Sequence, residues 1–170
     1  MLNIFTIILI HLASVLGISG DPLTNIDIEG VLKLAKYASW PPEATQIRIV
    51  MVPQSAESFS SAQAYLKNQY LDDKQVILEK YTPECSLTGA TIIFIEKQAG
   101  VDVEKITSQI AGLGILTITN DIINLDNGCM FYIECKDDML DYKYNKQAVI
   151  NSGLMIKGSV LAPYHCYNQQ

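Results

Sequence analysis

Basic residues are scarce in this 170-residue chain. It contains a single arginine, Arg48, its lysines form no cluster, and its net charge is −6. Proteins that bind nucleic acids neutralise phosphates with clustered lysines and arginines. The sequence therefore argues against a nucleic-acid partner.

Histidines and recognisable catalytic motifs are also few. His11 lies in the N-terminal apolar segment, which leaves His165 beside Cys166. One histidine cannot supply the three or four ligands of a metal centre, and adjacent side chains in extended structure point apart, so His165 is a poor base for Cys166. The chain has no G-x-S-x-G turn, and Gly112 and Gly114 follow a predicted helix instead of opening one around a phosphate. We predict no metal, no cofactor and no enzymatic activity.

The longest apolar run is too short to cross a bilayer comfortably. It extends from Ile4 to Leu16 and is followed by the small residues Gly17 and Ser19, which is typical of a secretory signal peptide. We therefore predict a signal peptide at residues 1–19 and an exported domain at residues 20–170. No Lys or Arg precedes the apolar run, so an uncleaved membrane anchor is the alternative.

The remaining sequence alternates helical and extended patterns without a linker or repeat, and about 150 residues suffice for one domain. Apolar periodicity predicts helices near residues 26–38, 56–68, 103–110 and 146–152, and strands near 47–52, 75–78, 91–95, 115–119, 130–135 and 140–144. This order predicts a single α/β domain with three αβα layers, in which helices flank a mixed, mostly parallel sheet.

Four cysteines, Cys85, Cys129, Cys135 and Cys166, lie in the predicted exported part. In an oxidising compartment the default is two disulfides. Cys129 and Cys135 on one strand would be roughly 20 Å apart, which excludes a bond between them. If the strand ending at Cys135 runs antiparallel to the strand before it, Cys135 approaches Cys85. We therefore favour the pairs Cys85–Cys135 and Cys129–Cys166.

The segment KYASWPP places the only tryptophan, Trp40, at the end of the first predicted helix, directly before Pro41 and Pro42. Proline ends a helix. Trp40 either fills the core or acts as a low-entropy anchor for a partner. Tyr37 lies on a neighbouring part of the helix surface. We predict a partner-binding patch of Tyr37, Trp40, Pro41 and Pro42.

Three segments in this order resemble the YfiR family: KYASWPP, a cysteine shortly before the strand ATIIFIE, and NGCMFYIE followed by LDYKYNKQAVINSGLMIKGSVL. In that family the first helix closes on a Trp-Pro pair, here Trp40 and Pro41. A Gly-Gly-Met segment opens a late strand, here residues 127–129 with Gly128 at its centre. The next strand ends at Asn145, and a leucine-rich segment from Leu154 to Leu161 follows.

The sequence also departs from the family pattern. Asn127 and Cys129 replace the first Gly and the Met, which keeps the turn plausible because Asn tolerates left-handed backbone angles and Cys is small and apolar. The last helix lacks the family's usual arginine.

The resemblance implies a periplasmic regulator that binds the extracytoplasmic part of an inner-membrane signalling protein. In the best-understood family members that partner is a diguanylate cyclase, and binding represses cyclic di-GMP synthesis. Two other functions stay open on the sequence: an extracytoplasmic sensor of a small ligand, and an exported hydrolase. Homodimerisation also stays open.

Overall fold

A computed structural model describes residues 25–40, 43–136 and 139–167. Helices and strands alternate along these ranges. The α-helices are α1 (Asn25–Ala35), α2 (Ala56–Leu66), α3 (Val103–Gln109) and α4 (Lys146–Asn151), and the strands are β1 (Gln46–Val52), β2 (Tyr70–Leu71), β3 (Lys74–Lys80), β4 (Ile92–Ile95), β5 (Leu116–Thr119), β6 (Phe131–Lys136) and β7 (Met139–Tyr144). Short 3-10 helices occur at Ile122–Leu125, Gly158–Val160 and Pro163–His165.

The seven strands form one sheet in the order β2–β3–β1–β4–β5–β6–β7. The five inner strands run parallel to one another. An antiparallel strand closes each edge, β2 against β3 and β7 against β6. This topology confirms the predicted mixed, mostly parallel sheet. The strand order reverses its direction at β1, because β3 lies on one side of β1 and β4 on the other.

Helices cover both faces of the sheet, which confirms the layered α/β fold. Ile49 and Phe94 point to the face covered by α1 and α2, and Val50 and Ile93 point to the face covered by α3. All four residues of β4 are fully buried, as expected for a parallel strand packed on both faces. The uninterrupted apolar sequence of that strand, Ile92–Ile95, follows from this burial.

Helix α1 ends earlier than the predicted position near residue 38. The backbone N–H groups of Tyr37 and Ala38 donate to carbonyls three residues back, which tightens the last turn. Ala38 then pairs with Ile156 in an isolated antiparallel bridge. The helix therefore stops because the chain leaves it to pair with a distant segment, before Pro41 and Pro42, which lie outside the described residues.

Strand β6 runs opposite to the predicted direction. It pairs with β5 in parallel, because residues 120–130 include a 3-10 helix and are long enough to carry the chain back along the sheet. Cys135 near the end of β6 consequently lies at the carboxyl end of the parallel strands. Cys85 precedes β4 and lies at their amino end, so the geometric reason for pairing these cysteines was wrong.

The edge strands carry local features of their own. Asp72 and Asp73, with φ of 48° and 64°, connect β2 to β3; this is the type of two-residue hairpin turn that requires left-handed angles. On β7, the Tyr142 N–H donates to the Asp141 carboxylate at 2.8 Å. The Tyr144 carbonyl accepts from the Tyr167 N–H at 2.8 Å.

The predicted signal peptide at residues 1–19 lies outside the described residues. Within the described ranges, every helix is too short or too polar to traverse a bilayer.

Candidate functional site

The predicted partner-binding residues that the structure describes lie at the amino end of the parallel strands, in the connection from α1 to β1. Tyr37 is 41% exposed, and the neighbouring Met155 is 73% exposed. Two backbone hydrogen bonds hold these segments together: the Ser39 N–H donates to the Met155 carbonyl at 2.9 Å, and the Lys157 N–H donates to the Tyr37 carbonyl at 2.8 Å. We call Tyr37, Trp40 and Met155 the aromatic corner.

Trp40 contributes to the core, which is the first of the two roles considered from the sequence. Its ring packs against the core on the α1–α2 face while the residue stays partly exposed. Its indole Nε1 is buried, and the described structure gives it no hydrogen-bond partner. A buried indole N–H ordinarily has an acceptor, and here the acceptor is not among the described residues.

A cleft of about 850 Å³ opens at the same end of the sheet, between α3 and α4. Buried Ile115 and Met130, which directly precede β5 and β6, lie at its floor. Lys146 lies at the start of α4, and Tyr167 contributes from the C-terminal segment. The cleft therefore forms where a helix end, two strand beginnings and a late segment converge.

The family-motif residues Gly128 and Asn145 build the walls of this cleft. Gly128 has a φ of +89°, and a Cβ there would lie 2.9 Å from the Thr107 hydroxyl oxygen. That hydroxyl donates to the Asn127 carbonyl at 2.7 Å. Asn145 caps α4 by accepting from the Ala148 N–H at 2.9 Å, and its amide donates to the Leu125 carbonyl at 2.7 Å. Both motif residues fix backbone geometry.

Leu154 and Leu161, the ends of the leucine-rich segment, are half-buried against the core of the α1–α2 face. The Tyr144 hydroxyl donates to the Leu161 carbonyl at 3.0 Å. Their role in the structure is to hold the closing segment on the sheet.

A buried carboxylate that the sequence analysis did not single out lies at the opposite, carboxyl end of the strands. Glu96 directly follows β4 and is 3% exposed. Its Oε2 accepts hydrogen bonds from the Ser58 hydroxyl and the Gln54 N–H, both at 2.6 Å. Burial raises the Glu96 pKa above its ordinary value, and the two hydrogen bonds lower it to a smaller extent. The sequence signal for this site is that Glu96 is a single acidic residue directly after the apolar residues 92–95.

Asp27 at the beginning of α1 lies at this same end. It accepts from the Asn120 side-chain amide at 3.1 Å, and the Asn120 side-chain oxygen accepts from the Lys97 N–H at 2.6 Å. Burial raises the pKa of Asp27, and the hydrogen bond from Asn120 opposes that rise. The negative charge of Asp27 adds slightly to the raised pKa of Glu96. The carboxyl end thus holds two acids in a hydrogen-bonded network.

A family model described as YfiR/HmsC-like matches residues 25–162. This chain belongs to the YfiR/HmsC-like family. No curated protein matches the sequence. The family match begins with α1 and includes the aromatic corner, Gly128 and Asn145. It ends before Cys166 and Tyr167, which close one side of the cleft in this YfiR/HmsC-like protein.

All four cysteines of this YfiR/HmsC-like protein are free in the structure, so it contains neither of the two predicted disulfides. Cys85 and Cys135 lie at opposite ends of the sheet. Cys129 is buried in the core of the α3 face, whereas Cys166 packs against the core of the other face. Burial raises the Cys129 pKa to about 12 and the Cys135 pKa to about 11. These two thiols are therefore poor nucleophiles at neutral pH.

His165 stacks on Tyr142, with ring centroids 4.0 Å apart and planes 24° apart. The imidazole thus helps to attach the C-terminal segment to β7. Across the described ranges, no cluster of three or more His, Cys, Asp or Glu side chains is arranged to hold a metal ion.

Proposed function

We propose that this protein is a periplasmic regulator that represses a membrane-bound diguanylate cyclase by docking on its extracytoplasmic part. The family match over residues 25–162 carries the proposal. Repression follows if the regulator binds the inactive conformation of the cyclase more tightly than the active one. Binding alone suffices, and we assign no catalytic residue.

The aromatic corner is the docking surface that we propose. Exposed Tyr37 and Met155 offer apolar area, and the backbone bonds between residues 37–39 and 155–157 hold both segments in place. A surface that is already ordered loses little conformational entropy on binding. Tyrosine, tryptophan and methionine are enriched in protein interfaces, so the partner surface should be an apolar groove of moderate size.

The chain carries a net charge of −6, which favours a partner surface that is neutral or basic.

Cyclic di-GMP levels in the source organism test the proposal. Deleting the gene should raise cyclic di-GMP, and the wild-type gene should restore the lower level. A Tyr37→Ser/Met155→Ser variant should fail to restore it. Tyr70→Ser is the matched control, because Tyr70 is 62% exposed on the far edge strand β2, and it should restore the level fully. A deletion that leaves cyclic di-GMP unchanged would contradict the proposal.

Fractionation tests the location separately. An epitope-tagged protein should appear in the periplasmic fraction and should be shorter than the full-length chain by about the length of residues 1–19. Retention of the whole chain in the membrane would favour the anchor alternative.

A further inference from the structure

The cleft between α3 and α4 has the size of a small-molecule site. Its volume of about 850 Å³ lies within the usual range for ligand pockets, roughly 300–1,000 Å³. Buried Ile110, Ile115 and Met130 form an apolar floor. Exposed Gln147 and Asn151 place amide groups on the rim. Several hydroxyl side chains also line the cleft, so it offers a ligand an apolar floor together with many hydrogen-bonding groups.

The charge of the cleft narrows the ligand class. Among the described residues that line it, Lys146 is the only charged side chain, and none is acidic. The whole chain is acidic, with a net charge of −6, so a lining with a single positive charge is unlike the protein as a whole. A ligand with one negative charge and an apolar body complements this arrangement.

We propose that the cleft binds a small monocarboxylate with a compact apolar body. The carboxylate pairs with Lys146 at the rim, and the apolar body covers Ile115 and Met130 on the floor. Ligand binding to the cleft does not depend on the function proposed above. An effect of the ligand on repression does rest on that function.

A short, hydrogen-bonded segment connects the cleft to the aromatic corner. Ser152 lines the cleft, and its carbonyl accepts from the Gly114 N–H at 2.9 Å. The Ser152 hydroxyl donates to the Val149 carbonyl at 2.8 Å and accepts from the Leu154 N–H at 3.0 Å. Met155 is the next residue after Leu154, and its carbonyl accepts from the Ser39 N–H in the segment that carries Tyr37. A ligand that shifts α4 therefore moves the aromatic corner, and cleft occupancy changes affinity for the partner.

Cyclohexanecarboxylate is a suitable probe, because it has the proposed chemistry and does not absorb where tryptophan does. Titrating it into the purified protein and following amide resonances by NMR should show one saturable site with a Kd on the order of 1 mM. Trp40 is the only tryptophan and does not line the cleft. A saturable change in its fluorescence with the same midpoint would report transmission to the corner.

Two variants test the location of the site. Ala111→Phe places a ring in the cleft from an exposed position and should abolish saturable binding. Ala64→Phe, at an exposed position on α2, should bind as wild type does. Lys146→Gln should weaken carboxylate binding about fivefold. The neutral analogue cyclohexylmethanol should bind with the same weakened affinity to wild type and to Lys146→Gln.

Each outcome decides one part of the inference. Absence of saturable binding, or binding that Ala111→Phe leaves unchanged, overturns the cleft as a ligand site. Equal affinities for cyclohexanecarboxylate and cyclohexylmethanol overturn the assigned role of Lys146. Binding without a change in Trp40 fluorescence overturns the connection to the corner. All these measurements use isolated protein, so their failure is distinguishable from a failure of the cyclic di-GMP experiment.

Discussion

The carboxyl end of the parallel strands buries two acidic side chains, one fully and one in part, whereas the amino end exposes apolar side chains and a cleft. At the carboxyl end, Glu96 and Asp27 are held by hydrogen bonds from within the chain. At the amino end, a cleft opens and Tyr37 and Met155 face solvent. Ligands of open α/β sheets usually bind outside the carboxyl ends of the strands, where the strand order reverses. Here that position is occupied by the protein's own side chains.

The comparison shows that a fold class does not locate a binding site. Glu96 lies beside the reversal of strand order at β1, yet Ser58 and Gln54 already use its Oε2. The cleft of about 850 Å³ and the aromatic corner lie at the other end. Both sites that we propose are at the amino end, where the family-motif residues Gly128 and Asn145 also lie.

The largest effect is expected at the amino end, from Gly128→Ala. The left-handed φ of +89° disfavours alanine, and the new Cβ would lie 2.9 Å from the Thr107 hydroxyl. We expect a loss of about 3 kcal/mol in the free energy of unfolding. Gly89→Ala is the matched control, because φ is +79° and no atom lies within 4 Å of the added Cβ. It should lose only about 1 kcal/mol, and equal losses in urea titrations would contradict the role of the Thr107 contact.

At the carboxyl end, Glu96→Ala should destabilise the protein by about 2 kcal/mol. It leaves the Gln54 N–H without its acceptor and removes the closer of two acceptors of the Ser58 hydroxyl, the other being the Ser55 carbonyl. Glu96→Gln keeps an acceptor oxygen and should lose less. Urea unfolding of both variants at pH 7 provides the measurement. If both substitutions have the same effect, the hydrogen bonds do not account for this end of the molecule.

The loss of a helix cap should be smaller. Asn145→Ala removes the bonds to Ala148 and Leu125 and should cost about 1.5 kcal/mol. Asp102→Ala removes a cap on α3 that accepts only from the Lys105 N–H in the described structure, and it should cost about 1 kcal/mol. The difference between the two losses measures the hydrogen bond from the Asn145 amide to the Leu125 carbonyl. A larger loss from Asp102→Ala would contradict a contribution of that bond to stability.

The pH dependence of stability should distinguish the carboxyl end from the rest. The pKa of Glu96 is raised by burial from an ordinary value of 4.5. A carboxyl group with a higher pKa in the folded state contributes its full stability below the unfolded pKa, and this contribution is lost as the pH rises through the folded pKa. Stability relative to Glu96→Gln should therefore decline as the pH increases above about 4.5. A difference that grows with pH would contradict the raised pKa.

The smallest effect on stability is expected for the aromatic corner. Tyr37→Ser and Met155→Ser alter exposed side chains and should each change the free energy of unfolding by about 0.5 kcal/mol or less. Thermal unfolding of the purified variants checks this. A large loss would mean that these side chains support the fold, and their loss of repression would then say nothing about docking.

Much of the fold could be predicted, because its central strands are buried on both faces. The run IIFI is apolar throughout, and QIRIVMV is apolar except for Gln46 and Arg48. The predicted helices show clear apolar periodicity. Strand β2 was missed because it is two residues long and depends on the left-handed angles of Asp72 and Asp73. The predicted direction of β6 was wrong. Turn residues alone do not show whether the next strand runs antiparallel to the previous one or parallel to it after a crossover.

The candidate site could be predicted only where its residues are neighbours in sequence. Tyr37 and Trp40 were identified from one short segment. Met155 was not, because it reaches the corner through backbone pairing with a distant part of the chain. Glu96 was missed for a different reason, since an acid after a strand is usually solvated and only the packing of α2 buries it.

The Asp141 carboxylate and the segment at Tyr167 occupy backbone groups of the outermost strand β7. The unpaired backbone groups of an exposed edge strand can pair with strands of other molecules, which starts fibril growth. In this protein the Asp141 carboxylate and the Tyr167 N–H already bond to backbone groups of β7, which disfavours pairing with another molecule. Concentrated solutions should consequently stay free of ordered aggregates, which suits a regulator that has to remain available as separate molecules.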